Sequence, residues 1–274
     1  MNKHPFLGVF LIFLGFKFLS MNGLKGIIES GSLWATHFSF LNDSNELTHG
    51  MNCLENALQY LRDDFNPKTL KFIEQALTHF RMHRAAHVYN LSFCLEPDLL
   101  SQWRGYGSSQ GVCLEFDDEE LLASLELTHY QVFKNRVLYT KEDSTVEARN
   151  EILAFFRQPH VQAAINADVM HEMIQATRLA HSLPPFFKND GFKEEPEFRM
   201  VILPDSPFEG VNFRVNDSGL APYLIIKAKD KLPLTNVRIG PRSNRAMMMD
   251  GISFLLQSRG YTSTRISFTE TPFR

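Results

Sequence analysis

In the segment FKEEPEFRM, Glu195, Glu197 and Arg199 stand at alternating positions, so a β-strand through them would project all three side chains from one face of a sheet. Two carboxylates beside a guanidinium either pair among themselves or hold a ligand. In the second case a carboxylate of raised pKa can move a proton, or an ionised one can steady a cation. A charged strand face turned to solvent explains the same residues, and the spacing leaves both readings open. Lys188 lies just upstream and would add a phosphate contact.

Trp103, Arg104 and Tyr106 sit among Gln102, Gly105 and Gly107, a setting that suggests partial exposure. Indole and phenol could stack on a base or sugar while Arg104 pairs with a phosphate, and plain packing of the aromatics is the equal alternative. Asn42, Asp43 and Glu46 form N-D-x-x-E at a helix entrance. An oxygen of Asp43 or Ser44 can cap that helix, with Glu46 reaching back as in a capping box; alternatively the loop offers its polar groups to a ligand's hydroxyls. In VRIGPRSNR, the Gly240–Pro241 turn with Arg242 and Arg245 could receive an anion, or simply be a turn before a basic helix start. His79, His83 and His87 are spaced by four, but interleaved Arg81 and Arg84 and the lack of a nearby carboxylate or thiolate favour a solvated basic helix end, and no metal is expected.

These groups need a folded scaffold, and the composition provides for one. The 274 residues are 44% apolar and 22% charged, which excludes a disordered or collagen-like chain. A net charge of −3, from 28 basic and 31 acidic side chains, argues against bulk attraction to nucleic acid while leaving a local basic groove open. P-loop, dinucleotide-fold, nucleophile-elbow and H-E-x-x-H signatures are absent from the sequence. Cys53, Cys94 and Cys113 are an odd number without C-x-x-C spacing, as in a reduced cytoplasmic protein. The apolar run Phe6–Phe16 is too short to span about 30 Å of hydrocarbon, so residues 1–16 read as a buried strand or an atypical start, with a membrane-directed segment as the alternative; no stable membrane span is expected.

Periodicity places the elements. A strand through FKFLS feeds a short helix on Leu24, Ile27 and Ile28 that ends at Gly31, and SLWAT is a second strand. Two helices follow, one on Leu47, Met51, Leu54, Leu58 and Leu61, the other opened by Asn66–Pro67. AHVYNLSFCL and GVCLEFD read as strands, Asp117 opens an acidic helical turn, and His129–Thr140 is a strand. From about Glu142 to His181 the chain is mostly helix, broken at Pro159. Short strands then run from Glu195 onward, with a helix at about Asn244–Ser258 and a last strand near Thr264–Phe268. The fold class is α+β: a mixed or antiparallel sheet with helices packed around it and a helical middle insertion, residues 17–274 forming a single domain.

With these pieces in order, LWATHFSFLNDSNE, NLSFCLEPDLLSQWRGYGSSQGVCLEFD, FKEEPEFRMVI, VRIGP and the closing ISFTETPFR resemble the bacterial family named domain of unknown function 2971. Asn42, Asp43 and Glu46 match its N-D-P-F-E loop, Trp103 and Tyr106 its W-x-x-Y motif, and Glu195, Glu197 and Arg199 its E-x-E-x-R strand. Phe18 and Phe273 stand where that family carries tyrosines. The resemblance implies a bacterial or phage-borne intracellular protein. The layout is also similar to the ADP-ribosyltransferase plan, which implies Glu197 as catalytic carboxylate with Glu195 as its neighbour, Tyr106 and Trp103 as a stacking pair, and Arg199 or Arg104 as a diphosphate contact. The expectation is therefore a cytoplasmic protein with a nucleotide-type cleft that transfers or cleaves at an N-glycosidic bond, with NAD as substrate and no certain cofactor. The alternative is a noncatalytic sensor or toxin-like partner, as in phage defence, that binds a nucleotide, nucleic acid or protein through the same face.

Overall fold

The computed structural model describes residues 14–41, 45–83, 87–107, 111–141, 146–167, 182–206, 208–216, 219–241 and 244–272. Of the apolar stretch at residues 1–16, only the last three fall within it, as the start of β1 (Leu14–Ser20). Ser20 caps α1 (Met21–Ser30), its hydroxyl accepting from the Gly23 amide, and Gly31 ends that helix at φ 59°, where a side chain would be strained. Then come β2 (Ser32–His37), α2 (Glu46–Leu61), α3 (Pro67–His83), β3 (Tyr89–Cys94), α4 (Leu100–Tyr106) and β4 (Gly111–Asp117). The middle of the chain holds α5 (Asp118–Ser124), β5 (Tyr130–Arg136), β6 (Leu138–Thr140), α6 (Val146–Phe156), α7 (Pro159–Asn166) and β7 (Phe187–Asn189). The last part is β8 (Glu197–Pro204), β9 (Val211–Asn216), β10 (Gly219–Lys227), β11 (Leu234–Ile239), α8 (Arg245–Ser258) and β12 (Arg265–Phe268).

Ten strands make one mixed, mostly antiparallel sheet in the order β12-β11-β4-β1-β3-β2-β10-β9, with β8 paired to β3 and to β5. The α+β class read from the sequence holds. β3 is a branch point. Along one edge it pairs with β8 over its whole length, from Tyr89↔Ile202 to Cys94↔Glu197. The other edge is shared: β2 meets it at Asn90 and Tyr89, whereas β1 meets it at Cys94. Between those points the sheet forks.

Each strand is held by apolar contacts on its non-polar positions. On β8, Phe198, Met200 and Ile202 join one buried cluster with Tyr89, Leu91 and Phe93 of β3. Val201 and Leu203 join a second, built with α2, α3, α6 and α7. Side chains of this size contribute about 1.5–3 kcal/mol each when fully buried, enough together to hold two ionised residues of β8 out of water despite a desolvation cost of several kcal/mol per ion.

Two expectations are corrected. The strand from His129 to Thr140 is divided at Val137, whose amide donates to the Glu197 carbonyl at 2.9 Å. Beyond it the chain leaves β8, and β6 pairs in parallel with β7 instead. Also, α2 starts at Glu46 behind Asn45, which makes no side-chain capping bond, and Glu46 is not part of a capping box: its carboxylate points to Arg199 and Lys188. The helical insertion is described as α6 and α7 with the break at Pro159; residues 142–145 and 168–181 lie outside the described residues.

Candidate functional site

β8 begins at Glu197, so Glu197 and Arg199 share a strand face, while Glu195 lies just before the strand and reaches the same place from the preceding turn. Arg199 is 1% exposed. Its Nε and Nη2 donate to the two Glu197 oxygens at 2.6 and 2.9 Å, Nη2 also donates to Glu46 at 2.8 Å, and Nη1 donates to the Pro185 carbonyl at 2.6 Å. Lys188, on β7, stands 3.4 Å from Glu46 and 3.2 Å from both Glu195 and Glu197. Three carboxylates thus share two cations. Tyr139 of β6 braces the arrangement, its hydroxyl donating to the Glu195 carbonyl and accepting from the Glu197 amide at 3.1 Å.

The electrostatics follow from this geometry. Burial opposes ionisation of Glu197, but the Arg199 guanidinium, with Lys188 and the Ser92 hydroxyl, outweighs it and holds the carboxyl at about 2. Lys188 and Arg199 are likewise desolvated, and the surrounding carboxylates still raise both above their ordinary values. Glu197 is therefore ionised at neutral pH and is not poised to donate a proton.

The cluster forms one wall of a cavity of about 540 Å³ that opens over the fork of the sheet. The floor is polar: Lys17 of β1, Thr36 of β2, Asn90 and Ser92 of β3, and Arg214 of β9. Lys17 Nζ donates at 3.2 Å to the main-chain oxygen of Ser92, which lies between the two points where β1 and β2 meet β3. Arg214 donates from Nη2 to the Thr36 hydroxyl at 2.9 Å. Burial lowers the Lys17 pKa to about 8, against the pull of Glu197 and with the help of the Arg214 charge. Four aromatic side chains line the mouth, Trp34, Phe40, Tyr106 and Phe192, each more than a third exposed. Trp34 is backed by Tyr223, with ring centroids 4.5 Å apart.

Of the residues singled out in the sequence, Glu46, Tyr106, Lys188, Glu195, Glu197 and Arg199 all line this cavity. Trp103 is not among the residues that line it. It is 1% exposed, packs edge-on against Phe18 at 4.8 Å and donates its indole N–H to Asp98 at 2.7 Å, so it belongs to the support beneath α4. Arg104 is exposed on α4, away from the cavity lining. Asn42, Asp43 and Arg242 lie outside the described residues, as do Ser44, Phe273 and the side chains of His79 and His83. His87, with φ 68°, is not helical, so it does not continue the face of α3. Among the described residues no group of three His, Cys, Asp or Glu could hold a metal ion.

Spacing gave no sign of Lys17, Trp34, Asn90, Tyr139 or Arg214. A lone lysine between Phe16 and Phe18 in a strand was the one available signal, since an ammonium so placed needs a polar partner.

The family resemblance drawn from the motifs stands: the model of the family described as Protein of unknown function (DUF2971) matches residues 102–200, the span that carries Tyr106, Lys188, Glu195, Glu197 and Arg199 and ends halfway along β8. No curated protein and no solved structure matches the chain.

Proposed function

We propose that this chain of the DUF2971 type binds a nucleotide-type ligand in the forked-sheet cavity and cleaves or transfers at its N-glycosidic bond, with NAD as the first substrate to test. The observation that carries the reading is the pairing of an exposed aromatic mouth with a charged interior. Trp34, Phe40, Tyr106 and Phe192 offer stacking surface to a base, which is worth about 1–3 kcal/mol per stacked base. The carboxylates beneath suit the cation that develops on the sugar.

In this reaction the bond between ribose C1′ and the nicotinamide nitrogen breaks, and nicotinamide leaves with the electron pair. Water or an acceptor hydroxyl then attacks C1′ and releases its proton. Glu195, whose side chain is 29% exposed and has Lys188 as its ion-pair partner, is the carboxylate with room to face C1′. Glu197 has both oxygens engaged by Arg199 and acts as a positioning residue. Nicotinamide release from NAD by purified protein, with candidate acceptors present, tests this. Release by wild type that falls roughly 10²–10³-fold in Glu195→Gln supports it. No release by wild type, or undiminished release by both Glu195→Gln and Glu197→Gln, removes the enzyme reading.

One observation favours a second reading, binding without turnover. The buried acids and bases of the wall neutralise one another almost completely, a pattern that rigidifies a pocket without activating any single group. Saturable NAD binding by calorimetry with no nicotinamide released is its expected outcome.

A further inference from the structure

We propose that Lys17 and Arg214 form an anion subsite on the cavity floor that takes the phosphoryl group of a phosphorylated ribose, with a ribose hydroxyl donating to Asn90. The inference rests on the nucleotide reading and assigns the phosphate end of that ligand. The cations that the motifs suggested for phosphate, Lys188 and Arg199, are already shared among Glu46, Glu195 and Glu197, so an anion arriving there would meet three carboxylates.

Lys17 and Arg214 are differently placed. Among the described residues neither has a carboxylate within ion-pair distance: Lys17 donates to a backbone carbonyl and lies over the Phe93 ring, and Arg214 donates to a hydroxyl. Arg214 also keeps its Nε buried without a hydrogen-bond partner. The two charges are near enough for Arg214 to weaken proton binding at Lys17. Two cations lining one cavity, neither in an ion pair among the described residues and one holding an unused donor, are what a phosphoryl group would satisfy with charge-assisted hydrogen bonds. Glu197 is only near enough to favour the charged form of Lys17.

Asn90 narrows the ligand further. It is 3% exposed, and its Oδ1 has no partner. Its Nδ2 donates to the Ser92 hydroxyl at 2.7 Å, which leaves Oδ1 as the free end of the amide. The free atom is therefore an acceptor and calls for a donor. A ligand that joins an anion to a hydroxyl meets both needs, which a bare anion or an unphosphorylated sugar does not.

Calorimetry with ribose 5-phosphate and ribose, on wild type, Lys17→Met, Arg214→Met and Arg214→Lys, tests the assignment. Ribose 5-phosphate is expected to bind wild type at least about tenfold tighter than ribose, with the preference reduced to within about twofold in Lys17→Met and Arg214→Met and partly kept in Arg214→Lys. Melting curves identify which variants are folded, and either Met variant suffices. Equal affinity of wild type for the two sugars, or an undiminished preference in a folded Met variant, overturns the proposal. Adenosine and ADP are titrated in parallel. Failure of both to bind while ribose 5-phosphate still does would refute the nucleotide reading and leave the anion subsite standing.

Discussion

Glu197 shows what the cluster does at the scale of one residue. Its carboxyl is held at about 2 in the fold, against an ordinary 4.5, because Arg199 and Lys188 favour the ionised form. Between those two values the unfolded chain carries the extra proton, so stability falls as pH drops from about 4.5 towards 2 and the contribution is complete above 4.5. Lys188 works in the opposite direction: its proton is bound more tightly in the fold, so its contribution is present at neutral pH and is lost in strong alkali. Replacing Arg199 by Met leaves Glu46 and Glu197 sharing only Lys188, and the expected loss is about 3–5 kcal/mol by urea denaturation at pH 7. The acid-side slope should flatten in the same variant, because Glu197 then has less reason to stay ionised. An unchanged midpoint and an unchanged slope would mean that the ion pairs are incidental.

At the scale of elements, the site is a matter of close approach. Gly50 of α2 faces the 184–186 turn so closely that a Cβ there would sit 2.3 Å from the Pro184 carbonyl oxygen. The contact seats that turn, and the turn places the Pro185 carbonyl against Arg199 and leads into β7 with Lys188. Gly50→Ala is therefore expected to cost about 1–3 kcal/mol, measured as a lowered denaturation midpoint, and to weaken ligand binding although Gly50 touches no ligand. A variant with wild-type stability and binding would show that α2 does not position the site. Gly240 plays the same part beneath α4, where a Cβ would meet the Trp103 ring at 2.9 Å. Trp103 is a wedge there, and Tyr106, further along the same helix, is the side chain that reaches the cavity mouth.

For the whole molecule, the fork at β3 is the organising feature. A continuous ladder would cover the floor with paired backbone; the divergence of β1 and β2 opens it to Lys17, Asn90 and Ser92. Two apolar clusters pack on opposite sides of β8, the strand that pairs with the other edge of β3. The three cysteines are buried in this frame, and desolvation pushes the Cys94 thiol up to about 11 and Cys113 well above its ordinary value. Labelling with a disulfide reagent at pH 7.5 or so should accordingly be slow for the native protein, and denaturation should release three reactive thiols. Rapid native labelling of even one thiol would contradict this burial. Among the described residues no helix is long and apolar enough to cross a membrane.

The sequence alone determined the α+β class, most element positions and six of the side chains that line the cavity. Alternation, caps and motif order are local properties, and Ser20, Gly31 and Pro159 act on their own neighbours. Glu197 and Arg199 were legible because strand spacing brings them to one face, Glu195 joins them from the turn just before the strand, and Trp103 misled because exposure was inferred from the small residues beside it. Tertiary structure decided the rest: that Glu46 serves an ion cluster instead of a capping box, that Trp103 is interior, and that Lys17, Asn90 and Arg214 share a floor. Those outcomes depend on which strands meet β3 and where they part, and such long-range pairing follows from the packing of whole layers, which leaves no mark in the spacing of neighbours along the chain.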